Sequence, residues 1–431
     1  MARAEKGPDL RLTADEDRML SGAAGEALQM AMHLIVALAR VNGARRLRPV
    51  SAAHIDGCLY HGPVGLDFAE RLVAAGGRVA VPTTLNVSAL DLLHPELIQL
   101  DAATRDRARQ LMDAYVAMGC DPTWTCAPYQ LPDRPRLGQH VAWAESNAIV
   151  FANSVLGART GRYGDFIDIC AALTGRVPDA GLHRTENRRA RIVLRLDDGL
   201  AGSELADELY GVVGHVVGQE SGGLVPAIVG LPGDTSEDQL KALSAAAASA
   251  GAVAMFHAVG VTPEAETLEQ ALGGRPPKRE MTISRERLAR AWGELSTTDG
   301  AGRLAAVSVG TPHLSMAELS RLDSLLDGKR VHQRIEMYAS TGRRTLETPN
   351  GQALQDRLGR AGVKLVVDTC TYVTPVMRAP QGSTVMTDSA KWAWYAPGNL
   401  GVEVVYGSVT DCVRSAVAGR IIRERPAVLD G

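Results

Sequence analysis

The sequence lacks an apolar run long enough to cross a bilayer. The most apolar early stretch, Ala27 to Ala39, is broken by Gln29 and His33 and falls short of the ~20 residues that a spanning helix needs. The charged start, Met1 to Leu12, has no apolar core followed by a small-residue cleavage site and does not read as a signal peptide. An excess of basic charge is also missing. Lys+Arg 46 against Asp+Glu 49 leaves a formal net charge of −3, which excludes a basic nucleic-acid coat and a polybasic membrane anchor and points to a small-molecule partner. Cysteine is sparse: Cys58, Cys120, Cys126, Cys170, Cys370 and Cys412 are too scattered for a disulfide framework, include no Cys-x-x-Cys pair, and suit a reducing cytoplasm. Lysine is as scarce, with six against 40 arginines, so each lysine draws notice.

What is present describes a globular chain. Hydrophobic residues at 45%, charged residues at 22% and a mean hydropathy of −0.04 allow ample burial, and 431 residues correspond to about three domains. Thr13 followed by Asp15 and Glu16 reads as a helix start, and Ala102 to Met118 repeats apolar residues at helical spacing. Arg78 to Val81 reads as a short strand. The stretches His54 to Gly65 and Asp121 to Gly138, rich in Gly, Pro and aromatics, read as ordered loops of the kind that hold function.

From Arg191 the pattern is regular. Strands are expected at Ile192 to Leu196, Val225 to Val229 and Val253 to His257, with helices at Ser203 to Val217 and Ser236 to Ala250. A second series follows, with helices at Ser284 to Leu295, Ser315 to Leu326 and Gly351 to Ala361, and strands at Leu304 to Val309, Arg334 to Tyr338, Lys364 to Asp368 and Val402 to Tyr406. Right-handed crossovers would lay such strands parallel. The Gly- and Pro-rich stretch Gly273 to Lys278 reads as the boundary between the two series.

In open parallel sheets ligands bind beyond the carboxyl ends of the strands. The segments to examine are therefore His257 to Glu264, Gly310-Thr311-Pro312-His313-Leu314-Ser315, Asp368-Thr369-Cys370, and Gly407-Ser408 with Cys412 in the helix that follows. A thiol in a first helical turn is expected to have its thiolate stabilised by the dipole, as a metal ligand requires. Cys170 and Cys120 read as core. Cys126, Cys370 and Cys412 form a candidate trio of metal ligands from three distant loops. His54, Cys58 and His61 have the spacing of a zinc knuckle but no fourth ligand nearby, so a Gly-rich binding loop is the better reading. Lys391, flanked by Trp392 and Trp394, is placed to hold a carboxylate or else lies along Trp392 at the surface. Glu145, beside an apolar stretch, would need a partner if buried.

Several motifs in order resemble the aconitase X family, the divergent branch of the aconitase superfamily. They are His54-Ile55-Asp56-Gly57-Cys58-Leu59-Tyr60-His61-Gly62, Thr84-Leu85-Asn86, Thr125-Cys126-Ala127-Pro128-Tyr129, Ala142-Trp143-Ala144-Glu145-Ser146-Asn147, Ala152 to Thr160, Asp368-Thr369-Cys370 and Ala390-Lys391. The resemblance spans nearly the whole chain. It implies an iron-sulfur hydro-lyase of aconitase-like α/β fold, with several domains of mostly parallel sheets around a central cluster cleft. The divisions expected are 1–190 with cluster and substrate loops, 191–275 as a β-α-β-α-β unit, and 276–431 carrying Cys370, Lys391 and Cys412.

Two substrates are implied by the family: cis-3-hydroxy-L-proline in bacterial-type members and mevalonate 5-phosphate in archaeal-type members. The first is favoured here, because Leu59-Tyr60-His61 stands where the archaeal type has Ser-Tyr-Lys, and Gly161 where an Asn is usual. The archaeal type also has a cysteine in a Gly-Cys-Pro-His motif where this chain has Thr311. The expected cofactor is therefore a 2Fe-2S cluster rather than 3Fe-4S or 4Fe-4S, held by Cys126, Cys370 and Cys412, with Thr311 or a water as rival to Cys412. Lys391 is expected to hold the substrate carboxylate, Glu145 and Ser146 its ring nitrogen or hydroxyl, and Gly57, Cys58, Leu59, His61 and Asn86 the remaining face. The family's catalytic serine lies on a small swivelling domain to which no segment of this chain is assigned, so a separate small subunit is expected. No nucleic-acid or membrane partner is expected. The alternatives are a mevalonate 5-phosphate dehydratase large subunit and a non-catalytic metal-binding scaffold.

Overall fold

The computed structural model describes residues 9–200, 205–300 and 302–429. Among them, three sheets are wholly parallel and one two-stranded ribbon is antiparallel. The first parallel sheet has Ala53–Ile55 at its centre, flanked by Thr83–Leu85 and Ala142–Trp143. The second runs in the order His257–Ala258, Pro226–Val229, Ile192–Leu196, Arg279–Ile283. The third is ordered Val363–Val366, Glu336–Thr341, Leu304–Leu314, Thr384–Thr387, Glu403–Tyr406. The α/β class and the mostly parallel sheets expected from the sequence are both present. No helix among the described residues is long and apolar enough to cross a membrane.

Local chemistry sets the elements. Thr13 caps the first helix, Ala14–Leu20, in a reciprocal box with Glu16, and Ser236, Ser315 and Ser408 cap their helices in the same way with Gln239, Glu318 and Asp411. Helix Asp207–Ser221 begins later than expected, and the Ser203 start lies outside the described residues. Arg78 to Val81 is irregular, and pairing begins instead at Thr83. The stretch before His257 shortens to a two-residue strand.

The boundary expected at 275 falls inside a domain. Arg279–Ile283 pairs along its whole length with Ile192–Leu196, so it closes the second sheet. The Gly-Pro run before it is a surface turn in which Gly273 ends a short helix in the left-handed region. Helices Asp207–Ser221 and Glu237–Gly251 form the most intimate packing in this region. Their backbones meet at glycines, and a Cβ on Gly251 would lie 1.8 Å from the Gly218 carbonyl oxygen. Glu237–Gly251 also packs on Ser146–Ser154 and Ala390–Leu400, the helices whose first turns carry the candidate site.

Candidate active site

Three segments at the carboxyl ends of strands converge. Thr125 donates its backbone N–H to Leu85 at the end of the first sheet, which places Cys126. Strand Leu304–Leu314 continues past a register shift after Val309 and carries His313. Cys370 follows strand Val363–Val366 on a turn fixed by Asp368. That carboxylate takes a double hydrogen bond from Arg343 and one from the Leu92 backbone, and its own φ of 61° is held by the Ser88 backbone N–H on its carbonyl.

Cys126, His313 and Cys370 are fully buried, and their ligand atoms lie within 4.8 Å of one another. His313 donates its backbone N–H to Cys126 Sγ at 3.3 Å, and its ring contacts Thr125 Oγ1 at 3.2 Å on one side and Cys370 Sγ at 3.8 Å on the other. Burial pushes the Cys126 thiol up, but the hydrogen bond from Cys370, then the charges of His313 and Lys391, outweigh it and draw its pKa below the ordinary thiol value. Cys370, donating that hydrogen bond and buried, is held well above it.

Beside this trio lies an ion pair between two helix starts. Glu145 caps helix Ser146–Ser154, accepting from the Ala148 N–H at 2.7 Å, and its other oxygen takes Lys391 Nζ at 2.6 Å. Lys391 stands in the first turn of helix Ala390–Leu400, where the dipole disfavours a cation. Burial works to lower its pKa, yet Glu145, followed by Tyr372 and Cys126, holds it well above the usual lysine value. Asn147 extends the arrangement, donating to Glu145 and to the Cys126 carbonyl and accepting from Tyr129 OH at 2.6 Å. Ser146 Oγ, 3.4 Å from Lys391 Nζ, is partly buried.

The other expected positions divide. Asn86 is buried next to Asp56, to which its amide donates. Gly57 presents its N–H to Asp168 at 3.1 Å. With Leu59 and His61 it lines a cavity of about 280 Å³ bounded by Tyr115 and Asp165. Cys58 is buried, with Sγ on the Asn86 carbonyl at 3.2 Å, and burial followed by the charge of Asp56 keeps it a thiol. His54 is buried in its strand on Thr84 Oγ1 at 2.8 Å, so the zinc-knuckle spacing does not produce a site.

Cys412 is not brought to the trio. It sits in the apolar core of the third domain among Val307, Met386, Val405 and Val413. Burial, then the charges of Asp388 and Asp411, push its pKa well above normal, the reverse of the dipole-stabilised thiolate expected. Asp411, which completes the helix cap, supplies part of that negative charge. Thr311, its rival, is 6% exposed, its Oγ1 has no hydrogen-bond partner among the described residues, and it lines a small cavity with Lys391 and Ser389. Sequence reasoning quoted His313 but gave it no role, although it follows a strand end in a segment already marked for inspection. Asp56, the first residue after strand Ala53–Ile55, was passed over despite the same positional signal.

A buried thiol and imidazole site at the carboxyl ends of parallel sheets, in this multi-domain α/β frame, places the molecule in the aconitase-like class. The models of the aconitase X first, second and third domains match residues 9–186, 190–293 and 304–418. The chain is 43% identical to cis-3-hydroxy-L-proline dehydratase of Pseudomonas aeruginosa, over 99% of this chain and 73% of that protein. It is 36% identical to the phosphomevalonate dehydratase large subunit of Methanothermobacter thermautotrophicus, over 94% of this chain and 98% of that one. The crystal structure of Thermococcus kodakaraensis aconitase X in its holo form superposes with a TM-score of 0.84 at 30% identity, covering 94% of this chain and all of that one. The chain belongs to the aconitase X family, and it is a hydro-lyase.

Proposed function

We propose that the protein dehydrates cis-3-hydroxy-L-proline to Δ1-pyrroline-2-carboxylate with an iron-sulfur cluster, and that Cys126, His313 and Cys370 hold that cluster. The observation that carries this reading is the convergence of those three side chains beside the Lys391–Glu145 pair. Two thiols and an imidazole are donors suited to iron-sulfur ligation, and three protein ligands would leave an iron position open to substrate. His313 takes the place expected for Cys412. The cluster would supply a Lewis-acidic iron for departure of the 3-hydroxyl.

The chain's own residues orient the substrate. Lys391, kept charged by Glu145, directs its ammonium and the neighbouring Ser146 hydroxyl to the substrate carboxylate. The buried setting strengthens that contact and limits water. Removal of the C2 proton with loss of the C3 hydroxyl gives an enamine, which tautomerises to the cyclic imine. The serine base is proposed to come from a small swivelling domain outside the matched residues, a reading supported by the match to 98% of the Methanothermobacter large subunit. Six free cysteines, all buried, accord with the cytoplasm.

The test is turnover by anaerobically purified protein, with and without a small-subunit partner, of cis-3-hydroxy-L-proline against mevalonate 5-phosphate. Brown protein that releases Δ1-pyrroline-2-carboxylate is the expected result. Preference for the phosphate ester would transfer the assignment to the second substrate, and a colourless, zinc-loaded, inactive protein would support a scaffold.

A further inference from the structure

The loop after strand Ala53–Ile55 carries a carboxylate that the reaction above does not use. Asp56 is largely buried at the carboxyl end of the first sheet, and among the described residues the side chain that hydrogen-bonds it is Asn86, whose Nδ2 donates to Oδ1. The Asn86 backbone N–H is held on the Ile55 carbonyl at 2.9 Å, and its amide nitrogen donates to Asp56. Asn86 is 4% exposed, and among the described residues its Oδ1 has no hydrogen-bond partner. A buried amide oxygen left unsatisfied costs on the order of 1–3 kcal/mol, so an unpaired one marks a place where something else donates.

The charged groups that act most on Asp56 are carboxylates. Asp168 lies behind the loop and takes the backbone N–H groups of Asp56 and Gly57 at 2.8 and 3.1 Å. Glu145 is engaged by Lys391 and Ala148. Burial, then repulsion from Glu145, Asp165 and Asp168, pushes the Asp56 carboxyl up to about 7. Among the described residues no arginine or lysine is paired with Asp56, so the chain itself supplies no cation for its ionised form. The missing complement is a cation with N–H donors for two acceptors, the Asp56 carboxylate and the Asn86 carbonyl. A secondary ammonium has two such hydrogens. A phosphate dianion would meet the carboxyls of Asp56, Asp165 and Asp168 instead.

We infer that Asp56 and Asn86 form the subsite for the substrate's ring ammonium and thereby set the preference for a cyclic amino acid over an uncharged or phosphorylated hydroxy acid. This rests on the hydroxyproline reading and adds two specificity residues to it.

The experiment uses the active holoenzyme, with its small partner if one is required. L-proline and cyclopentanecarboxylate, which differ by the ammonium, are compared as competitive inhibitors of cis-3-hydroxy-L-proline turnover. A charge-assisted hydrogen bond is worth enough for a preference of about tenfold or more for L-proline in the wild type. In Asp56→Asn that preference is expected to fall to near unity, with KM raised about tenfold, kcat less affected and the visible spectrum unchanged. Asn86→Ser, which shortens the second acceptor, should lower the preference in the same direction and serves as the comparison if Asp56→Asn does not fold. An unchanged preference in a folded variant, or none in the wild type, overturns the inference alone. Failure of the wild type to dehydrate hydroxyproline at all overturns the function on which it rests.

Discussion

Lys391 and Glu145, separated by 246 positions, meet with Nζ 2.6 Å from Oε1 where both side chains are almost wholly buried. Each is on the first turn or cap of its own helix, and the two helices rest on a third, Glu237–Gly251. Removing one partner leaves a buried charge unpaired, so Lys391→Met and Glu145→Gln are each expected to cost about 3–5 kcal/mol in urea unfolding. Combining Lys391→Met with Glu145→Leu should recover much of that stability while turnover stays abolished. If the double variant regained activity, the pair would be structural and Lys391 would not hold the substrate.

The cluster assignment separates by colour. Cys126→Ala, Cys370→Ala and His313→Ala should each bleach or shift the visible spectrum of anaerobically purified protein, because each removes a soft donor from the trio. Cys412→Ser, made in an apolar core far from exchange with solvent, should leave the spectrum intact and lower stability by roughly 1–2 kcal/mol through a buried hydroxyl. Bleaching by Cys412→Ser with an unaffected His313→Ala would restore the ligand set expected from the sequence.

The difference between Cys412 and His313 shows what sequence reading reaches and where it stops. Strands such as Ile192–Leu196 and the Ser-capped helices were legible because their signals are local: alternation, capping hydroxyls, a closing glycine. Cys126 and Cys370 stood out through motif context. Which way Cys412 points depends on packing between its helix and the third sheet, and no local signal reports that. Helix Ala390–Leu400 was not expected at all, since Trp392, Trp394, Tyr395 and the internal Pro397 are poor helix formers and tertiary burial of Trp392 overrides them. The ion pair of Lys391 with Glu145 is likewise a property of the assembled domains.

Acidity should act through Asp56. Its pKa near 7 follows from burial and the facing charges of Glu145, Asp165 and Asp168, with Asn86 opposing them by donating to the charged form. Above about pH 7 the carboxylate is ionised and the ammonium subsite complete; as pH falls through 7 the group takes a proton and the attraction is lost. The profile of kcat/KM for the free enzyme should therefore rise up to about pH 7, and in Asp56→Asn that limb should disappear. A limb that persists unchanged in the variant would assign it to another group.

Backbone contact between two helices sets the frame for both halves of the ion pair. A Cβ on Gly251 would stand 1.8 Å from the Gly218 oxygen, and one on Gly214 2.3 Å from the Leu243 oxygen, neither of which is a flexible group. Gly251→Ala and Gly214→Ala are expected to destabilise by about 1–3 kcal/mol or more, because the helices must separate to admit the methyl. Gly359, inside helix Pro349–Ala361 with open space at its Cβ position, is the internal control: Gly359→Ala should be neutral or stabilise by up to about 1 kcal/mol. Since Glu237–Gly251 supports the helices bearing Glu145 and Lys391, turnover should fall in Gly251→Ala more than the loss of folded protein explains. Equal losses of activity and of folded fraction would limit these glycines to stability.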